Sequence, residues 1–145
     1  MKREKWQPWK PNKGIKEIPP AFWLEDFKYS EGLLTLYVQD QIDKSLPMLT
    51  ICFNDFLAMR ITDEGDLLKH TSDVDESLRE IPKKPGYYYR WGLFTVENSH
   101  YIEWFNKDIL GKNENLDIIH YVVKTPNEIV EVLVSTDPKP ILKWN

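Results

Sequence analysis

Apolar and polar residues alternate along much of this chain between residues 22 and 134. The runs 22–29 and 33–39 are both rich in aromatic and branched side chains, and a short segment that contains Gly32 separates them. Two such runs around a short turn with glycine are typical of a β-hairpin. Bulky side chains recur at alternate positions in each run, which predicts strands with one buried face.

Three more segments have the composition of strands. Residues 48–53 form a short, continuous apolar run, which is typical of a central strand. Residues 56–62 and 87–97 are also rich in aromatic or branched side chains. We predict one strand in each of these three segments.

The segment that begins at Thr125 fits two different structures. Thr125 and Pro126 match the start of a helix, with a capping side chain followed by proline in the first turn. The same residues match the turn of a hairpin. Residues 129–134 are mostly β-branched, and this favours a strand over a helix. We therefore predict a hairpin of strands 118–124 and 128–134.

One segment has the periodicity of a helix. Asn98 or Ser99 can cap it, aromatic residues recur at spacings of three and four, and Gly111 is well placed to end it. Together these patterns predict an α+β fold. Its main part is an antiparallel sheet of about six to seven strands, with one main helix at about 98–110 and a short second helix at about 73–80.

The length of the chain, 145 residues, is typical of one domain. Four prolines interrupt residues 1–20, so this segment is predicted to be an arm without regular structure, held to the protein by Trp6 and Trp9. Residues 21–145 are predicted to form a single α+β domain. The aromatic content of 13% supplies large side chains for its core or for an interface, and this composition is not typical of a disordered chain.

Charge is distributed unevenly along the chain. The net charge is −4, but residues 1–16 carry six lysine or arginine residues against one glutamate. Residues 54–80 carry eight acidic residues against three basic ones. A basic arm and an acidic body either neutralise each other within one molecule or serve a charged partner.

Cysteine content and hydropathy indicate where the protein resides. Cys52 is the one cysteine, so the chain contains neither an internal disulfide nor a cysteine cluster for zinc. The first residues are charged rather than apolar, and no segment has the roughly 20 apolar residues that span a bilayer. The sequence therefore predicts a cytoplasmic protein that does not enter a membrane.

Residues capable of chemistry are present but scattered. His70, His100 and His120 lack the spacing of a metal site, and a structural role is the more common one for isolated histidines. Cys52 and His120 could form a nucleophile–base pair, although a cysteine within an apolar run is usually inert. The acidic turn at 63–66 lacks the ligand spacing of a calcium loop. We therefore predict no catalytic residue, no metal ligand and no cofactor, and a protein that is not an enzyme.

Two segments combine aromatic and basic side chains. Residues 5–11 could place cations on phosphates and tryptophan rings on bases, as in proteins that bind single-stranded nucleic acid. The acidic body opposes such binding, which makes nucleic acid the less favoured partner. Residues 87–91 contain three tyrosines, an arginine and a tryptophan, which are residue types that anchor protein interfaces.

Parts of the sequence resemble small single-domain proteins of Gram-positive, Bacillus-type bacteria. Some of those proteins look like immunity or antitoxin partners of secreted polymorphic toxins. The resemblance is carried by residues 60–64, 97–105, 120–121 and 125–133. It implies a bacterial origin and a role in binding another protein, and it contains no catalytic motif.

The sequence favours a non-enzymatic, protein-binding domain, of the immunity type, whose acidic and aromatic surface meets a basic toxin. Opposite charges would speed the encounter, and buried aromatic rings would supply affinity. The alternatives are a small-ligand-binding protein or enzyme with an unrecognised pocket, and nucleic-acid binding through the arm. The predicted binding residues are Asp63, Glu64, Asp66, Asp73, Asp75, Glu76, Tyr88 and Arg90.

Overall fold

The computed structural model describes residues 3–11, 18–63, 78–109, 111 and 117–144. Within these ranges the chain forms nine strands in two antiparallel sheets and one short helix, which confirms the predicted α+β class. The strands are β1 (Lys5–Pro8), β2 (Phe22–Ser30), β3 (Leu33–Asp40), β4 (Leu49–Asn54), β5 (Ala58–Asp63), β6 (Leu93–Glu97), β7 (Ile118–Lys124), β8 (Glu128–Ser135) and β9 (Ile141–Trp144).

The two sheets enclose the main hydrophobic core. Sheet one has the strand order β1-β6-β7-β8-β5, and sheet two has the order β2-β3-β4-β9. Alternate residues of the strands point inward, since side chains alternate between the faces of a sheet. Leu36 and Ile51 of sheet two and Val123 and Val132 of sheet one belong to one buried cluster. The opposite face of sheet one is therefore left for other elements to cover.

Helix α1 (His100–Trp104) covers part of that opposite face and continues into a π-helical turn, Phe105–Ile109. Ser99 caps it, because the Ser99 side chain accepts a hydrogen bond from the backbone N–H of Ile102. Tyr101 and Phe105 pack on Leu133 of β8. The helix predicted at 98–110 is thus confirmed over the residues that the structure describes.

Both predicted hairpins are present. Glu31 and Gly32 form the two-residue turn between β2 and β3, and both have positive φ angles of 50° and 83°. In the turn between β7 and β8, the Thr125 hydroxyl accepts hydrogen bonds from the N–H groups of Asn127 and Glu128. The ambiguous segment is therefore a turn, as its β-branched continuation predicted.

The structure departs from the sequence prediction at three places. Residues 87–92 are irregular, so the strand predicted at 87–97 is limited to β6. β1 lies within the predicted arm, and β9 follows two prolines that were expected to end regular structure. Both are edge strands of the sheets formed by the described residues, and proline is tolerated there because one side of an edge strand needs no partner. The helix predicted at 73–80 lies outside the described residues except for its last three, which form a turn.

Tryptophans attach the N-terminal segment to the rest of the protein. The Trp6 ring packs on Phe94 at a centroid distance of 5.4 Å, and the Trp9 ring lies 4.7 Å from that of Tyr121. Trp91 donates a hydrogen bond from Nε1 to the carbonyl oxygen of Trp9. These contacts confirm the predicted anchoring, and they occupy rings that nucleic-acid binding through the arm would need for stacking.

Candidate functional site

A chain of hydrogen-bonded polar side chains lies between helix α1 and sheet one. The Ser99 hydroxyl is 2.7 Å from Nδ1 of His120, and Nε2 of His120 is 2.9 Å from a carboxylate oxygen of Glu131. Arg60 completes the chain with two hydrogen bonds to Glu131, at 2.7 and 3.0 Å. The Arg60 guanidinium also lies over the Tyr101 ring, 4.0 Å from its centroid. Three strands far apart in sequence, β5, β7 and β8, are thereby tied to helix α1.

The order serine, imidazole, carboxylate is the order found in hydrolytic triads. Ser99, however, already accepts the N–H of Ile102 as a helix cap, and His120 is only 1% exposed. In this conformation a substrate atom cannot reach the imidazole. The contacts instead satisfy polar groups that would be costly to bury without partners, and they hold α1 against β7 and β8.

The carboxyl group of Glu131 is held in its ionised form. Burial raises its pKa, but hydrogen bonds from His120 and Arg60 outweigh burial and lower the pKa from 4.5 to about 2. Because an ionised carboxylate only accepts hydrogen bonds, Nε2 of His120 is the donor to Glu131. The Glu131 carboxylate is therefore an ionised centre that two donors share.

This lowered pKa predicts acid-sensitive stability. The contribution of Glu131 is complete above its unfolded pKa of 4.5 and is lost as the pH falls towards about 2, because the unfolded chain takes up the proton first. The loss over this range should be about 3 kcal/mol. Urea unfolding at pH 2.5 and pH 5.5 measures this loss of unfolding free energy. The Glu131→Gln variant, which lacks the titrating group, is the reference. Equal pH dependence in both proteins would contradict the prediction.

The structure does not bring Cys52 and His120 together as a nucleophile–base pair, the alternative that the apolar surroundings of Cys52 already disfavour. Cys52 lies between the inward-pointing Ile51 and Phe53, so its side chain faces the outer surface of sheet two, 3.8 Å from the Thr35 hydroxyl. His120 faces the outer surface of sheet one beneath α1. The two side chains are on opposite sides of the core and cannot act together. Among the described residues, no group of three or more histidine, cysteine or acidic side chains could hold a metal ion.

An acidic groove lies where the edges of the two sheets meet. It is a recess of about 310 Å³ lined by Leu24, Glu25, Asp26 and Phe27 of β2, by Ile61 of β5 and by Glu128 of β8. We call these six residues the acidic groove. Phe27 is 47% exposed and Ile61 is 41% exposed, so the groove presents apolar surface as well as carboxylates.

A second recess, of about 400 Å³, lies beside the irregular segment 82–92 and carries the opposite charge. It is lined by Leu78, Lys83, Tyr88, Tyr89, Arg90, Trp91 and Lys124, which together we call the basic recess. Hydrogen bonds hold its outer wall: the backbone N–H of Tyr88 donates to the Gln41 side chain at 2.7 Å, and the Tyr87 hydroxyl donates to Asp40 at 2.8 Å. Burial and the hydrogen bond to Asp40 raise the pKa of Tyr87 to about 12.

The structure describes three of the eight predicted binding residues: Asp63, Tyr88 and Arg90. Tyr88 and Arg90 line the basic recess. Asp63 ends β5 and pairs in register with Glu128, beside the acidic groove. The five remaining residues lie outside the described residues: Glu64, Asp66, Asp73, Asp75 and Glu76.

Local sequence does not indicate every residue that lines the basic recess or joins the buried polar chain. Lys124 joins Lys83 and Arg90 only because β7 ends beside segment 82–92, and no local pattern indicates this. Glu131 did leave a signal, since it is the one charged residue in the apolar run 129–134 and is buried with His120. A charged side chain within a buried strand requires a partner, and this rule could have identified the pair.

No protein-family model, curated protein or solved structure matches this chain. No helix in the described part of the chain is both long and apolar enough to cross a membrane.

Proposed function

We propose that this chain is a non-enzymatic protein-binding domain that holds a basic, extended segment of a partner in the acidic groove. The observation that supports this best is the meeting of two sheet edges at a surface that is both acidic and apolar. Glu25, Asp26 and Glu128 supply three carboxylates around Phe27 and Ile61. Lysine or arginine side chains would meet the carboxylates while apolar side chains between them cover the exposed rings and methyl groups.

The backbone of the groove suits a partner in extended conformation. Among the residues that the structure describes, β2 and β5 are edge strands, each paired with one neighbour, β3 and β8 respectively. An edge strand can accept a further strand through its main-chain groups. A second copy of this chain is a poor occupant of the groove, because its own β2 would bring Glu25 and Asp26 against the same charges. A basic segment has no such repulsion.

The proposed partner agrees with the acidic binding surface expected from the sequence. Asp63 lies at the end of β5 and leads directly into residues 64–76, which contain five more of the predicted acidic binding residues. The resemblance to immunity proteins likewise favours a basic partner, such as the substrate-binding face of a toxin that acts on nucleic acid. We propose a partner of this kind, with the acidic groove as part of the contact.

Reversing the charge of the groove should weaken this binding. The probe is a fluorescein-labelled octapeptide of alternating lysine and valine, and fluorescence anisotropy measures its affinity. The double variant Glu25→Lys, Asp26→Lys should bind the peptide at least about tenfold more weakly, because two attractive contacts become repulsive. Binding to the unaltered protein should also weaken as salt is raised from about 0.05 to about 0.5 M.

The matched control is the double variant Glu103→Lys, Asp108→Lys. It changes the net charge by the same amount, but both residues are exposed on α1 and the turn that follows it, outside the groove. Affinity of this control should stay within about threefold of the unaltered protein. Equal weakening by both double variants would mean that net charge alone attracts the peptide, and the proposal would then be wrong. Absence of any binding by the unaltered protein would also overturn it.

A further inference from the structure

The basic recess concentrates positive charge on an acidic protein. Lys83, Arg90 and Lys124 line it, and none of the described residues that line it is acidic. The whole chain, in contrast, has a net charge of −4. Three aromatic rings complete the lining, from Tyr88, Tyr89 and Trp91. Three cations and three rings around one recess make it chemically unlike the acidic groove.

Lys124 is the most constrained of the three cations. It is the last residue of β7 and is only 7% exposed, with Nζ 4.2 Å from the centre of the Tyr89 ring. Its backbone N–H donates to the carbonyl oxygen of Gly92 at 2.8 Å. A Cβ atom on Gly92 would lie 2.9 Å from the Lys124 carbonyl oxygen, so glycine permits this close approach. The sheet therefore fixes the position of the Lys124 backbone at the wall of the recess.

Arg90 and Tyr88 provide the more accessible part of the recess. Within the described part of the chain, the Arg90 guanidinium donates one long hydrogen bond, 3.4 Å, to the carbonyl oxygen of Leu78. Its planar group can therefore offer further donors in the fork geometry that suits phosphate. Tyr88 is 62% exposed and its ring stands edge-on to Trp23, with the centroids 6.0 Å apart. A flat ligand can therefore contact the Tyr88 ring from the solvent side.

We propose that the basic recess binds a small molecule that carries a flat ring next to a phosphate group. Phosphate is favoured over a single carboxylate because its charge, close to −2 at neutral pH, matches several cations at once. The aromatic side chains would contact the ring of the ligand. The volume of about 400 Å³ is within the range of small-molecule sites and suits a ligand of the size of a mononucleotide. This site is separate from the acidic groove, so the two proposals stand or fall independently.

Calorimetric titration of the whole protein tests the chemistry of the ligand. The probes are adenosine monophosphate and phenyl phosphate, which combine a ring with phosphate, and adenosine and inorganic phosphate, which supply one part each. At least one combined probe should bind at least about tenfold more tightly than either inorganic phosphate or adenosine. If neither combined probe binds, or if inorganic phosphate binds equally well, the proposal is overturned.

Substitution of the cations tests the location. Arg90→Gln and, separately, Lys83→Gln should each weaken binding of the combined probe by about tenfold, because each removes a charge-assisted contact. Lys44→Gln is the matched control, since Lys44 is exposed and does not line the recess. Thermal unfolding verifies that the variants fold. Unchanged affinity in both recess variants would contradict the proposal, as would an equal loss in the control.

Discussion

Replacing Glu131 with alanine is expected to lower the free energy of unfolding by about 3–5 kcal/mol. Glu131 is buried, and it accepts hydrogen bonds from both His120 and Arg60. The substitution would remove the acceptor and leave the buried imidazole N–H of His120 without a partner, which is costly in an apolar environment. Urea unfolding at pH 7, followed by tryptophan fluorescence, measures the change.

The control for this prediction is Glu103→Ala in helix α1. Glu103 is exposed, so its loss should change stability by less than about 0.5 kcal/mol. Amide hydrogen exchange at Ser99 and Ile102 should also become faster in Glu131→Ala, because the chain of polar side chains connects the start of α1 to sheet one. A loss below about 1 kcal/mol in Glu131→Ala would show that the chain of contacts does not hold the helix.

Replacing Phe53 with alanine is expected to cost a similar amount, about 3–5 kcal/mol. Phe53 lies on β4 with no exposed surface, and its ring is 5.7 Å from the ring of Tyr121 on β7. Its removal would open a cavity between the two sheets, at a place where both backbones are fixed by hydrogen-bonded neighbours. The same urea unfolding experiment measures this loss of stability.

Ile141→Ala is the matched control in sheet two. Ile141 is an apolar residue of the edge strand β9, and its side chain is exposed. Its truncation should cost less than about 1 kcal/mol, since little buried surface is lost. Equal costs for Phe53→Ala and Ile141→Ala would contradict a core enclosed between two sheets.

The elements of this fold that depend on local sequence could be predicted. The β2–β3 hairpin followed from alternation and from Gly32, and the β7–β8 hairpin followed from its β-branched residues. The cap of α1 followed from Ser99. In each case the residues that determine the structure are close together in sequence, so the local sequence pattern is enough to predict the element.

The division into two sheets could not be predicted in the same way. β1 pairs with β6 and β9 pairs with β4, and these partners are separated by most of the chain. Strand pairing over such distances depends on which buried faces fit together, and alternation within one strand does not specify this. The strand predicted over 87–92 is absent for a related reason. Its aromatic side chains suit a strand, but hydrogen bonds to Asp40 and Gln41 hold it as an irregular wall.

The candidate sites likewise combine residues that local sequence indicates with residues that only the fold brings together. Residue type alone indicates Tyr88 and Arg90, which do lie together, but Lys124 joins them only through the fold. The acidic segment of the sequence indicates Asp63, whereas the acidic groove beside Asp63 contains Glu25 and Asp26 of the distant strand β2. Composition therefore identified the kinds of side chain involved, and tertiary structure decided which of them share a surface.

An NMR titration of the ¹⁵N-labelled protein with the lysine–valine octapeptide would locate the bound segment residue by residue. If the protein is a binding domain for basic, extended segments, amide shifts should concentrate on β2 and β5, above all at Leu24, Glu25, Asp26, Phe27 and Ile61. These amide shifts should be absent when the peptide is added to the double variant Glu25→Lys, Asp26→Lys. Shifts confined to other strands, or no shifts at millimolar peptide, would contradict this function.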